Sequence, residues 1–376
     1  MRKFKAIALA DLHCGCPRLD PVHFTETIRK FILPEIQADV THVFIAGDFF
    51  DLSVTMNSSA SAAAMTVITE LKNCCAAAGA KLRILRGTFT HDRNQSRHFL
   101  LASPEFNYCT KLYDTLAVEY DDETKLNFLY MPDNLRYSDI YEEVENLLKA
   151  HHLEKVDVVI HHGYFKHMLP PGIPVPADSL DYDEFKKYYS GCVLNGHVHT
   201  SSIYNNVVSI GSFDRFAYAE EEDKGFYIVT RNDDGLYSYE FVKNEDANPF
   251  WTINLQNFGP DTESAIKYIQ ENWLDKLKSS TDRNITPHVR ILSDDAGMIE
   301  GICTFIGIQS PMTIVNRGIA TKREQIIESA KLDLETLPKI TPDNLEELLI
   351  PILQKRSANV DLVRVHEVLE ACRKKG

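Results

Sequence analysis

Short apolar runs recur along the first two-thirds of the chain, and each closes on glycine, aspartate or histidine. Phe4–Ala10 ends in Asp11-Leu12-His13, and Thr41–Ala46 ends in Gly47-Asp48-Phe49-Phe50-Asp51. Lys81–Leu85 leads into Arg86-Gly87-Thr88-Phe89-Thr90-His91-Asp92, and Val156–Ile160 leads into His161-His162-Gly163. Val193-Leu194-Asn195 precedes Gly196-His197-Val198-His199. Runs of this length between turn residues read as buried strands, and Leu126–Met131 is another. Helical periodicity fills the gaps. Asp20–Gln37 carries an apolar stripe of Phe24, Ile28, Phe31 and Ile32. An alanine-rich body follows the caps Asn57-Ser58-Ser59 and stops at Gly79, and Tyr137–Lys149 forms a further helix. Strands alternating with helices predict an α/β fold.

Beyond residue 205 the pattern changes. Val207–Ile210, Gly225–Val229 and Leu236–Val242 read as strands of an antiparallel region, joined by polar turns such as Asn232-Asp233-Asp234-Gly235. Around Asn244–Pro260 the pattern breaks, which places a domain boundary there. Asp261–Leu277 is an amphipathic helix, His288–Leu292 a strand, and Ile302–Ile308 another apolar stretch. From Arg323 onward helical stretches alternate with breaks at Pro338 and Pro342. Three segments follow: 1–245, 246–320 and 321–376.

With 376 residues and 44% hydrophobic content, one large core and a smaller one can be buried. No apolar run approaches the ~20 residues of a membrane span, and Met1-Arg2-Lys3 leads straight into a strand rather than a signal peptide. A cytoplasmic, reducing location without membrane contact is the expectation. The eight cysteines lack a disulfide framework. Cys14 and Cys16 have no second pair at zinc-finger spacing, so they read as small apolar residues. A net charge of −14 argues against a general polyanion-binding surface. Any nucleic-acid contact must use bound cations or local arginines, of which Arg86, Arg93, Arg97 and Arg215 lie near strand ends or loops.

The strand ends carry the chemistry. Side chains alternate along an extended backbone, so Asp11 and His13, and again His197 and His199, share a side. With Asp48 and His161 they make six candidate ligands just beyond predicted strands, and such ends converge on one crevice of an α/β sheet. Mixed carboxylate and imidazole donors suit Mn²⁺, Fe²⁺ or Zn²⁺ ahead of Mg²⁺. Six ligands exceed the needs of one tetrahedral ion; two ions sharing a bridging carboxylate fit better.

The ordered series Asp-x-His, Gly-Asp-Phe-Phe-Asp, His-Asp, His-His-Gly and Gly-His-Val-His resembles the calcineurin-like metallophosphoesterases. Gly211-Ser212-Phe213-Asp214-Arg215, followed by Glu220-Glu221-Glu222-Asp223-Lys224-Gly225-Phe226, resembles the SbcD-type DNA-repair nucleases within that superfamily. The resemblance spans roughly residues 7–230 and implies a two-sheet sandwich flanked by helices, followed by a small α/β capping domain and C-terminal helices. It implies that Asp11, His13 and His199 hold one ion, that Asp48 bridges, and that His161 and His197 hold the second, with His161 chosen over His162 as the first after its strand. His91 would sit beside the scissile phosphate, with Asp92 orienting its imidazole. The superfamily usually reads Gly-Asn-His-Asp where this chain has Gly87-Thr88-Phe89-Thr90-His91-Asp92. Thr88, Thr90, water or a backbone carbonyl must replace the Asn oxygen, so the second ion is expected to be held more weakly.

The resemblance further implies a Mn²⁺-dependent DNA nuclease, a 3′→5′ exonuclease with possible endonuclease action, in which His91 also protonates the leaving alkoxide. It implies a homodimer formed through the 51–75 region and an SbcC-type ABC ATPase partner docked on segment 321–376, where Leu345–Ile350 and Val360–Leu369 are amphipathic. The chain has no Gly-x-x-x-x-Gly-Lys-Ser/Thr motif, so ATP dependence would come from that partner. Two other readings are a metallophosphoesterase acting on small phosphodiesters or cyclic nucleotides, and a catalytically impaired partner-binding subunit.

Overall fold

The computed structural model describes residues 2–55, 57–133, 140–168, 176, 179–283 and 285–319, with side chains as far as Asn316. The expected C-terminal helices and ATPase-docking segment, 321–376, lie outside the described residues. The chain packs as two units, Met1–Gly318 and Ile319–Gly376; everything below concerns the first.

Strand β1 (Lys5–Leu9) leads into helix α1 (Pro21–Phe31), β2 (His42–Ala46), α2 (Ser59–Ala78) and β3 (Lys81–Leu85). Two short helical turns, α3 (Phe89–Asp92) and α4 (His98–Leu101), precede β4 (Thr110–Tyr113). There follow β5 (Ala117–Asp121), β6 (Leu126–Met131), α5 (Ile140–Ala150), β7 (Val156–His162), α6 (Tyr182–Phe185), β8 (Tyr189–Gly196), β9 (Ser202–Tyr204) and β10 (Val207–Ser209). The chain then forms β11 (Gly225–Arg231) and β12 (Tyr237–Lys243). One sheet has the order β12-β11-β1-β2-β3-β4 and a second β5-β6-β7-β8-β10-β9. This is a mixed α/β architecture of two large sheets flanked by helices, as expected from the alternating pattern.

Period-2 alternation sorts the side chains. On β1, Ile7 and Leu9 face the apolar layer under α1 and α2, while Ala6, Ala8 and Ala10 face the space between the sheets. On β7, Val158 and Ile160 enter that same inter-sheet core, and Val159 packs in the outer layer with α5. Truncating Ile160 to Ala in this dry interface costs about 2–5 kcal/mol.

Several elements differ from the pattern-based reading. α1 ends six residues early, at Phe31 rather than Gln37, because Pro34 lacks an N–H and disfavours helix before it. β10 pairs with β8 in the second sheet, whereas β11 returns to β1 in the first. The stretch between them therefore crosses from one sheet to the other and carries Glu220. Within Asn244–Pro260, read as a break, Phe250–Asn254 forms β13. It joins β14 (His288–Ser293) and β15 (Ile314–Ile319) in a three-stranded sheet. Helices α7 (Thr262–Asn272), α8 (Leu274–Asp282) and α9 (Ala296–Gln309) close a separate apolar cluster over it. Among the described residues, no helix is long and apolar enough to cross a membrane.

Candidate metal centre

β1, β2 and β3 run parallel, as do β7 and β8, so their carboxyl ends gather at one edge of the sandwich. The loops leaving β1 and β2 are zipped together: Asp11 N–H donates to Gly47 O at 3.1 Å, His13 N–H to Asp48 O at 3.1 Å, and Cys14 N–H to Phe49 O at 2.7 Å. This pairing accompanies left-handed backbone at four candidate ligands, Asp11 at φ 50°, His13 at 46°, Asp48 at 50° and His197 at 83°. Such backbones cost of order 1–3 kcal/mol each and persist where surrounding contacts over-determine them, typically at functional sites.

Three groups of donors result. Asp11, His13 and His199 bring ligand atoms within 4.8 Å of one another, as do His13, Asp48 and His91, and Asp48, His162 and His197. Five of the six expected ligands, together with His91, are thus gathered; the remaining member is His162, not His161. The Nε2 of His162 stands 3.3 Å from Asp48 Oδ2. His161 turns to the opposite face of β7, with Nδ1 2.5 Å from Asn195 Oδ1 and its ring against Phe165. Alternation decides this: His162 continues the inward series Val158, Ile160. The sequence hides that series because Val158-Val159-Ile160 is apolar on both faces.

Space is reserved for the His162 ring. A Cβ on Gly47, itself at φ +89°, would fall 2.1 Å from His162 Nδ1. One on Gly196 would fall 2.1 Å from Ala46 O and 2.9 Å from the same ring nitrogen.

The remaining polar partners fix tautomers. His199 Nδ1 lies 3.1 Å from Glu220 Oε1, His13 Nδ1 3.0 Å from Asp51 Oδ1, His162 Nδ1 2.7 Å from Ala46 O, and His91 Nδ1 2.5 Å from Asp51 O. The His199, His162 and His91 rings, hydrogen-bonded at Nδ1, present Nε2 as a lone pair when neutral, the arrangement found where histidines ligate metals, whereas the buried His13 Nδ1 lies near Asp51 without a hydrogen bond. Yet His13 Nε2 and His199 Nε2 face each other at 3.1 Å, and His162 Nε2 faces a carboxylate oxygen. Acceptors crowded together in a buried site need a cation or a proton between them. Donors about 2.0–2.2 Å from one ion stand about 2.9–3.5 Å apart at tetrahedral or octahedral angles. The observed separations match, so these groups fit divalent metal ions.

Charges respond accordingly. Burial raises Asp11 above the usual carboxylate range despite the attraction of His162 and His199. Burial would also raise Asp48, but the adjoining His162 outweighs it and holds the carboxyl low. His199 is resisted by burial yet raised by its bond to Glu220 and by Asp11. His197, with burial dominant, falls to about 3 and is a neutral donor.

Thr88 is one of the residues offered by the sequence in place of an Asn oxygen. Its N–H donates to Asp48 Oδ1 at 2.6 Å, and its Oγ1 stands 3.2 Å from Asp48 Oδ2, 3.3 Å from His162 Nε2 and 3.3 Å from His197 Nδ1. Of the alternatives left open by sequence, the Thr88 hydroxyl is the one at the second donor group. Asp92 does not orient the His91 ring. Its buried carboxylate accepts from Gly87 N at 2.7 Å, Phe50 N at 3.0 Å and Asp48 N at 3.2 Å, clasping the β2 and β3 loops. Asp51 orients His91 instead.

Sequence reasoning assigns no role to Asp51, Glu220 or Lys224, although each stands within a motif. Lys224 is fully buried, its ammonium 2.9 Å from Glu220 Oε2, 2.8 Å from Glu222 Oε1 and 3.0 Å from His199 O. It anchors the carboxylate that aims His199. Cys14 and Cys16 are buried, with burial pushing their thiols up to about 12 and about 11, far from the thiolate a metal requires. Two of the expected phosphate-binding arginines are engaged within the protein: Arg215 donates to Glu222 O at 2.9 Å, and Arg93 to Ser53 Oγ at 2.8 Å.

No protein-family model and no curated protein matches the sequence. The crystal structure of TT1561 of Thermus thermophilus is similar over 64% of this chain and 99% of its own, at 8% identity and a TM-score of 0.37. Another crystal structure is similar over 64% of this chain and 98% of its own, at 13% identity and a TM-score of 0.34. At those scores the likeness adds nothing to the site, which rests on its own geometry. The Asp and His groups can hold metal ions, and the assembly is compatible with a metal-dependent hydrolase.

Proposed function

We propose that this protein is a phosphodiesterase acting on DNA with two divalent ions, Mn²⁺ the expected metal. The observation that supports it is the pair of donor groups flanking Asp48, with the second nitrogen of His162, His199 and neighbouring His91 each directed at a carboxylate or carbonyl oxygen. Asp11, His13 and His199 would hold one ion; His162, His197 and the Thr88 hydroxyl would hold the other; Asp48 would bridge. When bound, such ions supply an acidified water as nucleophile and Lewis-acid charge beside the phosphoryl oxygens. His91, about one-third exposed, keeps Nδ1 tied to Asp51 O; as the imidazolium it would also carry a proton on Nε2, to be delivered to the departing oxygen, leaving the neutral ring. Phe216 and Tyr164 pack edge-on against His199 and His197.

DNA end processing as a 3′→5′ exonuclease with an SbcC-type ATPase, and dimerisation, complete the proposal. The net charge of −14 favours the rival substrate, a small phosphodiester. Assaying linear duplex DNA against bis-p-nitrophenyl phosphate with Mn²⁺, then with EDTA, tests both. Metal-dependent cleavage of DNA supports the nuclease. Cleavage of the small ester alone selects the rival, and cleavage of neither ends the phosphodiesterase reading.

A further inference from the structure

The segment that crosses from β10 to β11 makes a tight turn beside the metal centre. Ala217 O accepts from Glu220 N–H at 3.2 Å, which places Tyr218 at the second position of a β-turn. The Glu220 carboxylate folds back: Oε2 accepts from Phe216 N–H at 3.3 Å, while Oε1 stands 3.1 Å from His199 Nδ1. Phe216 packs edge-on against both His13 and His199, with ring centroids 4.8 and 5.6 Å away. One side of the turn therefore touches both histidines of the group that includes Asp11. His162 and His197 take their neighbours elsewhere, from Ala46, Asp48, Thr88 and Tyr164.

The tip of the turn meets the three-stranded sheet. In that sheet Phe250 pairs with His288 and Thr252 with Arg290, so these residues share one face, while Ile253, Val289 and Ile291 enter the cluster under α7, α8 and α9. Tyr218 covers the first face. Its ring meets Phe250 edge-on with centroids 5.3 Å apart, the Arg290 guanidinium stands 4.9 Å over it, and its hydroxyl accepts from Asn316 of β15. The supports are themselves fixed. His288 stacks on Phe250 at 4.3 Å, and Arg290 donates to Thr252 Oγ1 at 3.1 Å. Residues from all three strands thus grip one ring, two positions before the carboxylate that aims a candidate metal ligand.

We propose that Tyr218 is a positioning residue through which the three-stranded sheet sets the affinity of the metal site formed by Asp11, His13 and His199. That role rests on the two-ion reading of the centre, though not on phosphodiester hydrolysis. The gripped ring pins the turn, and the pinned turn holds Glu220 against His199 and Phe216 against both imidazoles. Calorimetric titration of the full-length, metal-free protein with Mn²⁺ separates the two sites. Tyr218→Ala should weaken the tighter site about 10-fold, the low end for loss of an outer partner, and leave the looser one unchanged. Tyr218→Phe, which keeps both ring contacts, should recover most of that affinity. Arg290→Met removes a contact to the same ring from the sheet side and should reproduce part of the loss; it carries the comparison if Tyr218→Ala does not fold. Lys30→Met removes a surface lysine paired with Asp246, away from the turn, and should leave both affinities unchanged. An unaltered tighter site in Tyr218→Ala and Arg290→Met would overturn the proposal, as would equal weakening of both sites, no recovery in Tyr218→Phe, or the same loss in Lys30→Met. Protein that takes up no Mn²⁺ would sink the metal centre and this role together. Selective weakening in a protein that cleaves no phosphodiester would sink the phosphodiesterase reading alone.

Discussion

The Nε2 atoms of His13 and His199 point at each other across 3.1 Å, while their Nδ1 atoms lie against the carboxylates of Asp51 and Glu220. Neither carboxylate belongs to the donor groups themselves, yet Glu220, hydrogen-bonded to His199 Nδ1, determines which nitrogen of that ring carries the lone pair. Outer partners of this kind typically alter metal affinity by about 10–100-fold when removed. Glu220→Ala should therefore weaken binding of the tighter ion by about that factor. Calorimetric titration with Mn²⁺ measures it, and unchanged affinity would mean Glu220 serves only to neutralise Lys224.

His161 and His162 separate structure from chemistry. His162→Ala should lower the number of bound ions, because its Nε2 belongs to the group with Asp48 and His197. His161→Ala should keep the metal content but lower stability, since it removes a buried ring bonded to Asn195 and packed on Phe165. Elemental analysis and thermal unfolding of both variants give the comparison.

Thr88 brings a hydroxyl within 3.3 Å of Asp48, His162 and His197. A neutral hydroxyl is a poorer donor than an amide oxygen, so the two sites should fill at different Mn²⁺ concentrations. Thr88→Ala should weaken the looser site further and leave the tighter one unchanged. Equal affinities in the unmodified protein would contradict this assignment.

His91 shares a donor group with His13 and Asp48 and is about one-third exposed. His91→Ala should cut turnover by about 10²–10⁴-fold, the usual contribution of a positioned proton donor, with metal content near normal. Loss of both ions would show that its role is coordination.

Away from the site, Glu119 forms a two-bond fork with Arg83, at 2.8 and 2.9 Å. Burial pushes its carboxyl up, but Arg83, with Tyr113 donating to the same group, outweighs burial and lowers it from 4.5 to about 2. A depressed folded pKa stabilises the protein above the unfolded value, and that stability is lost as pH falls from about 4.5 toward 2. Glu119→Gln should lower the unfolding temperature at pH 7 and have a much smaller effect near pH 2. Equal effects at both would remove the charge from the explanation.

The series of candidate donors was legible because it sits at strand ends, where apolar runs stop on short polar clusters. Asp11, His13, Asp48, His197 and His199 needed only that punctuation. The choice between His161 and His162 needed the direction of β7 side chains, which an all-apolar strand conceals. Glu220 was beyond spacing arguments because its segment crosses between sheets. The role expected for Asp92 went instead to Asp51, since Asp92 is consumed by three backbone N–H groups. β13 was missed because Pro249 and the surrounding polar residues mask a five-residue strand.

The central claim is that these strand ends enclose a pair of cations bridged by Asp48. Manganese per chain, counted by elemental analysis after loading and gel filtration, tests it most directly. The account predicts about two ions per chain, and about one or fewer in Asp48→Asn. Protein that emerges folded but free of manganese, or an Asp48→Asn variant that binds as much as the unmodified chain, would contradict it.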